Sequence, residues 1–286
     1  MKKRAAVVSV NIDIMADLYA SSIALISACA IGELDTIDHL LRNERIDPSI
    51  QDNAAIAIAS KIGDLAIVER LLQDDRVDPS DRMNIAIYAA SKQGHTAVVT
   101  RLLQDRRVDP SARHNAPIRV ASESGHLPVV ELLLEDRRVD PSFPSNFAIA
   151  VASAKGHLAV VNRLLQDSRV DPSDGENEAI VEATLKGHVA IVNRLLEDPR
   201  VRIDLTGPIY FACKHERFEI FPSLLPFASC RKMLREHVPH IAVKDEFVKW
   251  FERFFTDAPP HVNKWVWHGG PGYHDGLEAF LNVQSA

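Results

Sequence analysis

Histidine, cysteine and glycine are the residues whose placement in this chain invites a chemical reading. His95, His126, His157 and His188 each follow a glycine and recur every 31 residues. A second group, His237 and His240 followed by His261, His268, His274 and Asp275, offers the imidazole and carboxylate ligands that zinc takes. None of its spacings matches a zinc site, and no metal is expected. Gly269-Gly-Pro-Gly272 has the glycines of a phosphate loop. It lacks the Lys-Ser/Thr step and the preceding apolar strand, and reads as a turn. Cys29, Cys213 and Cys230 make neither a C-x-x-C pair nor a disulfide framework. No G-x-S-x-G or H-E-x-x-H run occurs, nor a Cys/His pair with a plausible third partner. The expectation is no catalytic residue, no metal and no cofactor: not an enzyme.

Composition narrows the classes further. Apolar residues at 46% and charged residues at 25% suit a folded chain rather than a disordered one. The formal net charge is −6, so a general electrostatic grip on nucleic acid is not expected. No apolar run approaches the roughly 18 residues of a membrane span, and no membrane partner is expected. The basic start followed by apolar residues 5–10 is broken at Asn11 and Asp13, with no A-x-A-like site behind it, so no secretory signal is expected. With three unpaired cysteines, the expected compartment is reducing: cytoplasmic, with the nucleus open. Aromatic residues are unevenly placed, with only Tyr19, Tyr88, Phe143 and Phe147 before position 205. Two kinds of core are implied.

The chain is periodic. Glycine stands at 32, 63, 94, 125, 156 and 187, and Asp-Pro-Ser begins at Asp47, Asp78, Asp109, Asp140 and Asp171. Both series step by 31, the mark of stacked structural modules. Within a unit, a short Ala/Ile-rich segment ends at glycine, which takes the left-handed C′ position of a helix most easily. The segment after it, such as 158–165, has Leu158, Val161, Leu164 and Leu165 at helical spacing. Pro128, in the equivalent segment one unit earlier, fits only a first turn. Asn53, Asn84, Asn115, Asn146 and Asn177, with Ser22 in the first unit, stand where an N-cap is expected. The D-x-R-V-D-P-S run then ends the second helix and turns the chain. Each unit is therefore helix, tight turn, helix, loop. Successive helical layers lie ~10 Å apart, so the Gly-His histidines are too far apart to share a metal bonded at ~2.0–2.1 Å.

Asn115-Ala-Pro-Ile-Arg-Val-Ala-Ser-Glu-Ser-Gly-His126 resembles the T-P-L-H-x-A-A-x-x-G-H core of ankyrin repeats, and 127–134 resembles the L-x-V-V-x-L-L-L helix that comes after it. The resemblance implies an all-α fold, an ankyrin-type α-solenoid of stacked helix-turn-helix repeats with short loops and a helical C-terminal cap. The 31-residue period is shorter than the ~33 of the family, and the missing residues fall in the loop. Ala57, Tyr88, Arg119, Ala150 and Val181 replace the family's T-P-L-H histidine. The turn histidines are expected to be structural, and so are the small-residue thiols Cys29 and Cys213.

The expected divisions are 1–19 as an N-terminal capping segment, 20–204 as six repeats, 205–225 as a degenerate seventh, and 226–286 as an aromatic-rich cap or appended segment. In 245–255, Phe247, Trp250, Phe251 and Phe254 form one helical stripe. Residues constant between units mark the fold, whereas those that differ mark a binding surface. On the loop tips and the exposed first-helix face that the resemblance implies, these are Asp81, Arg82, Met83, Tyr88, Lys92, Arg113, His114, Arg119, Glu123, Phe143, Phe147 and Glu178. The expected function is a monomeric, non-enzymatic protein-protein interaction scaffold with a protein partner. An alternative is a substrate adaptor of a cullin-type ubiquitin ligase. Ser229-Cys-Arg-Lys-Met-Leu-Arg235 resembles the centre of a SOCS box at about 223–255, a resemblance that implies ubiquitin-ligase components such as elongin B/C as partners. Leu225 lies one residue too far from Cys230 for that motif, and its cullin-side prolines are absent. A catalytic C-terminal domain regulated by the array is a third option, though 61 residues are few for an enzyme core.

Overall fold

The structure is a computed structural model and describes residues 2–201, 208, 212, 215 and 217–224. No strand occurs among the described residues; the fold is all-α. Two compact units divide the chain, Met1–Ala152 with Gln166–Val170, and Ser153–Leu165 with Asp171–Ala286.

In the first unit, α1 (Lys2–Ile31), α3 (Ile50–Ile62), α5 (Asp81–Gln93) and α7 (Ala112–Ser124) pack each on the next. Their partners α2 (Leu34–Leu41), α4 (Leu65–Leu72), α6 (Thr96–Leu103) and α8 (Leu127–Glu135) form the adjoining layer in the same order. Eight-residue helices are too short to persist alone. Stacking stabilises them: Ile67, Val68 and Leu71 of α4 and Val98, Val99 and Leu102 of α6 are buried to 1% exposure or less. Residues 2–31 form one continuous helix, so no backbone break separates the expected cap at 1–19 from residues 20–31. Pro128 sits in the first turn of α8, where a missing N–H costs nothing.

The constant residues turn out to be brackets between units. Arg138 Nε and a terminal nitrogen grip Asp136, while Nη1 donates to Val108 O at 2.8 Å and Nη2 to Leu103 O at 3.3 Å, both in the preceding unit. Arg76, Arg107 and Arg169 repeat this clasp. Charge-assisted bonds to otherwise unpaired helix-end carbonyls are the strong kind. The Arg76 guanidinium holds the Asp74 carboxyl below its usual range, and Arg107 and Arg138 do the same to Asp105 and Asp136. Within each Asp-Pro-Ser, the aspartate accepts from the serine N–H and hydroxyl, as Asp109 does from Ser111 at 2.9 and 2.6 Å.

The turn histidines are the second bracket. His95 Nε2 donates to Lys61 O at 3.0 Å, and His126 Nε2 to Lys92 O at 3.1 Å. Their rings lie against the preceding unit's glycine. Gly63 has φ +89°, and a Cβ there would come within 2.4 Å of the His95 ring. In the first turn-glycine pair Asp64 takes the histidine's place and instead caps α4, accepting from Ile67 N at 3.1 Å.

The asparagines correct the N-cap expectation. Asn53 Oδ1 accepts from Asp78 N and Asn84 Oδ1 from Asp109 N, both at 2.7 Å, and Asn115 Oδ1 from Asp140 N at 2.9 Å. Ser22 Oγ does the same for Asp47 N at 3.1 Å. The reason is conformational. Three successive residues, such as 82–84 and 113–115, have φ between +49° and +61°, a left-handed turn that aims the asparagine at the next unit instead of its own helix. Asparagine tolerates that region better than most residues.

In the second unit, α11 (Asp174–Lys186) and α10 (Leu158–Leu165) each pack on α12 (Val189–Leu196). The brackets recur: His188 Nε2 donates to Ala154 O at 3.1 Å, and Arg200 Nη2 to Leu165 O at 2.6 Å. Beyond them comes a 3₁₀ turn (Phe218–Ile220) running into the short α13 (Phe221–Leu224). Arg217 Nε donates to Leu185 O at 3.3 Å, one unit on from the carbonyl His188 uses.

Candidate binding surface

The left-handed turns and the first helices together carry the residues that vary. Two side chains per turn stand at positive φ ahead of the asparagine: Arg82 and Met83, then Arg113 and His114. Bulky residues in this region cost of order 1–2 kcal/mol each. Such strain persists only where the surroundings enforce it, and the brackets on either side do so.

Six of the twelve expected residues meet in the first unit as one patch. The Arg113 guanidinium carbon lies 5.5 Å from the Tyr88 ring centroid, and that of Arg119 lies 5.0 Å from Phe147 on α9 (Phe147–Lys155). The His114 and Phe143 rings are 5.4 Å apart and tilted by 37°. Arg119 Nη1 donates to His114 O at 3.3 Å and, at the long limit of 3.5 Å, to Arg113 O, which ties these pairs together. Both phenylalanines contact the preceding unit and still keep 48% and 39% of their surface exposed.

The other expected residues are distributed around it. Arg113 Nη2 donates to Arg82 O at 2.6 Å, and Arg82 pairs with Asp52 at 3.3 Å in the turn before. Met83 is 66% exposed. Asp81 accepts from Asn53 Nδ2 at 2.9 Å, and this bond, the largest influence, pulls its carboxyl below the usual range. It is therefore a brace between turns. The Lys92 and Glu123 side chains are exposed, while the Lys92 carbonyl receives His126. Glu178 lies in the second unit, half-buried beside Gly175. Sequence reasoning missed Asp52, although it occupies the same column as Met83 and His114 one unit earlier.

Helical layers holding such a patch at a 31-residue step, with a left-handed turn at the start of α3, α5, α7 and α11, place the matched family in context. The family model for ankyrin repeats, in three copies, matches residues 56–144. That stretch carries ankyrin repeats. No curated protein matches the chain. The matched stretch holds Tyr88, Arg113, His114, Arg119 and Phe143, with Phe147 just beyond it.

Cys29 is fully buried, and desolvation, helped by Asp64, pushes its thiol up to about 12, as an inert core thiol requires. Among the described residues no cluster of histidine, cysteine and carboxylate is arranged to hold a metal. Nor is any described helix long and apolar enough to cross a membrane. The aromatic stripe at 245–255, the histidines from His237 to His274, Cys213, Cys230 and nearly all of the SOCS-box-like segment lie outside the described residues.

Proposed function

We propose that this ankyrin-repeat chain is a non-enzymatic scaffold that grips a partner protein through its turn tips and first-helix face. Tyr88, Arg113, His114, Arg119, Phe143 and Phe147 are the centre of contact. Ankyrin repeats in general bind proteins, which supports the class. The surface assignment is carried by one observation: unit-specific rings and guanidinium groups stack into a continuous patch whose phenylalanines stay about half exposed. Tyrosine and arginine are the residue types most often found as energetic anchors at interfaces. The same reading takes 20–204 as six units, 205–225 as a worn seventh and the chain as a monomer. The adaptor alternative has its support in the sequence around Cys230, outside the described residues.

Affinity purification from the native cell with mass spectrometry, comparing wild type with the Tyr88→Ala/Arg119→Ala/Phe147→Ala variant, tests the assignment. Partners captured by wild type are expected to be lost by the triple variant. Undiminished capture would remove the surface assignment.

A further inference from the structure

The two patch arginines differ electrostatically from the bracket arginines. Arg76, Arg107, Arg138, Arg169 and Arg200 are each paired with an aspartate at 2.6–2.8 Å. Neither Arg113 nor Arg119 has a carboxylate within 4.0 Å among the described residues, although the protein as a whole carries −6. Each lies half-buried beside a ring, and the Nε of each is buried without a hydrogen-bond partner among the described residues. Among those residues Arg119 Nη2 makes no hydrogen bond either. A guanidinium tied only to backbone carbonyls and a ring face retains its charge and part of its fork for an incoming anion.

Resting on the binding-surface reading above, we infer that the partner presents an acidic peptide segment. In it, an Asp or Glu carboxylate meets the Arg113–Arg119 pair and a neighbouring aromatic or aliphatic side chain packs on Phe143, Phe147 and Met83. Charge complementarity selects the carboxylate: among the described residues neither cation has a counter-ion, and the protein as a whole is acidic. The neighbourhood limits how much negative charge is welcome. Asp52 and Asp81 sit at the adjacent turns, and Glu123 is one helical turn along α7 from Arg119. A single carboxylate satisfies the pair, whereas a phosphate dianion or a nucleic-acid backbone brings surplus charge into that acidic rim. The exposed apolar area, absent from a purely electrostatic site, calls for a side chain beside the acid.

The test pans a random, unphosphorylated displayed-peptide library against the full chain and measures the enriched peptides by fluorescence anisotropy. Peptides that need the patch are those lost on Tyr88→Ala/Phe147→Ala. These are expected to share an Asp or Glu next to an apolar residue, and to weaken roughly tenfold or more on Arg119→Gln. They are also expected to weaken as salt rises from about 50 to 500 mM. Charge exchange separates recognition from folding: Arg119→Glu should lose the parent peptide and recover binding when the peptide's acid is replaced by lysine. Patch-dependent peptides without an acid, or unaffected by Arg119→Gln, overturn the acidic-partner inference while leaving the surface in place. Tighter binding when the acid is replaced by phosphoserine also overturns it. Enriched peptides that ignore Tyr88→Ala/Phe147→Ala remove the surface itself, and this inference with it.

Discussion

Arg138 and Arg119 are two arginines of the same array with opposite surroundings. Arg138 spends its donors on Asp136 and on two carbonyls of the preceding unit. Arg76 and Arg169 repeat this at 31-residue steps, and Arg107 pairs with Asp105 and reaches Val77 O. Arg119 stands where the neighbouring units carry Tyr88 and Ala150, lies over Phe147 and has no carboxylate beside it among the described residues. The bracket region is repeated because every junction between units needs the same carbonyls satisfied. The patch region varies because nothing in the stack requires those side chains. Identity of residue type therefore says little; whether the type recurs with the period separates fold from surface.

Mutations on the two sides should separate stability from binding, and the largest effect belongs to the bracket side. Gly63→Ala puts a Cβ into a left-handed position and against the His95 ring. A loss of roughly 3 kcal/mol in urea unfolding is expected from strain and overpacking together, and binding by the remaining folded fraction should be unchanged. Arg138→Ala comes next. It strips Asp136 and two carbonyls of their partner. The pair is partly exposed, so screening reduces the cost to about 2 kcal/mol. If Arg119→Ala proved as destabilising as Arg138→Ala, the division between the two regions would be wrong.

Acid should act on the brackets in concert. Asp74, Asp105, Asp136 and Asp198 are all held below the ordinary carboxylate range by their arginines. A carboxyl depressed in the folded state contributes its stability above the unfolded pKa and loses it as pH falls through the folded value. The melting temperature should therefore be flat near neutrality and drop below about pH 4. A decline centred near neutrality would contradict this account of the brackets.

The smallest effect is expected inside the first-helix layer. Ser60, Ser91 and Ser122 are fully buried, and their hydroxyls have no partner among the described residues. Ser91→Ala should be neutral or stabilising by up to about 1 kcal/mol, measured by the same unfolding curves. A clear loss would point to a buried water or a partner for that hydroxyl.

Much of this architecture was legible in the residues. Glycine and Asp-Pro-Ser at a constant step, with leucine and valine at helical spacing between them, specify paired helices because each signal acts within a few residues of its own position. The structural role of the turn histidines was legible for the same reason: they travel with the glycine. The asparagines were misread as caps. Their acceptor role depends on a left-handed turn, and the N–H they serve is 25 residues ahead. The stacking of Arg119 on Phe147, 28 residues on, has no local signal either. Both residues break the repeat, and nothing near either of them in the sequence indicates that they touch.

The amino-acid order by itself determined the period, the helix pairs and the set of positions free to vary, since capping, turn chemistry and amphipathic spacing are short-range properties of the chain. Only the tertiary structure decided which of those free positions meet. Stacking sets Tyr88, Arg113, Arg119 and Phe147 from consecutive units side by side, and among the described residues it leaves two guanidinium groups without the carboxylates that every bracket arginine has.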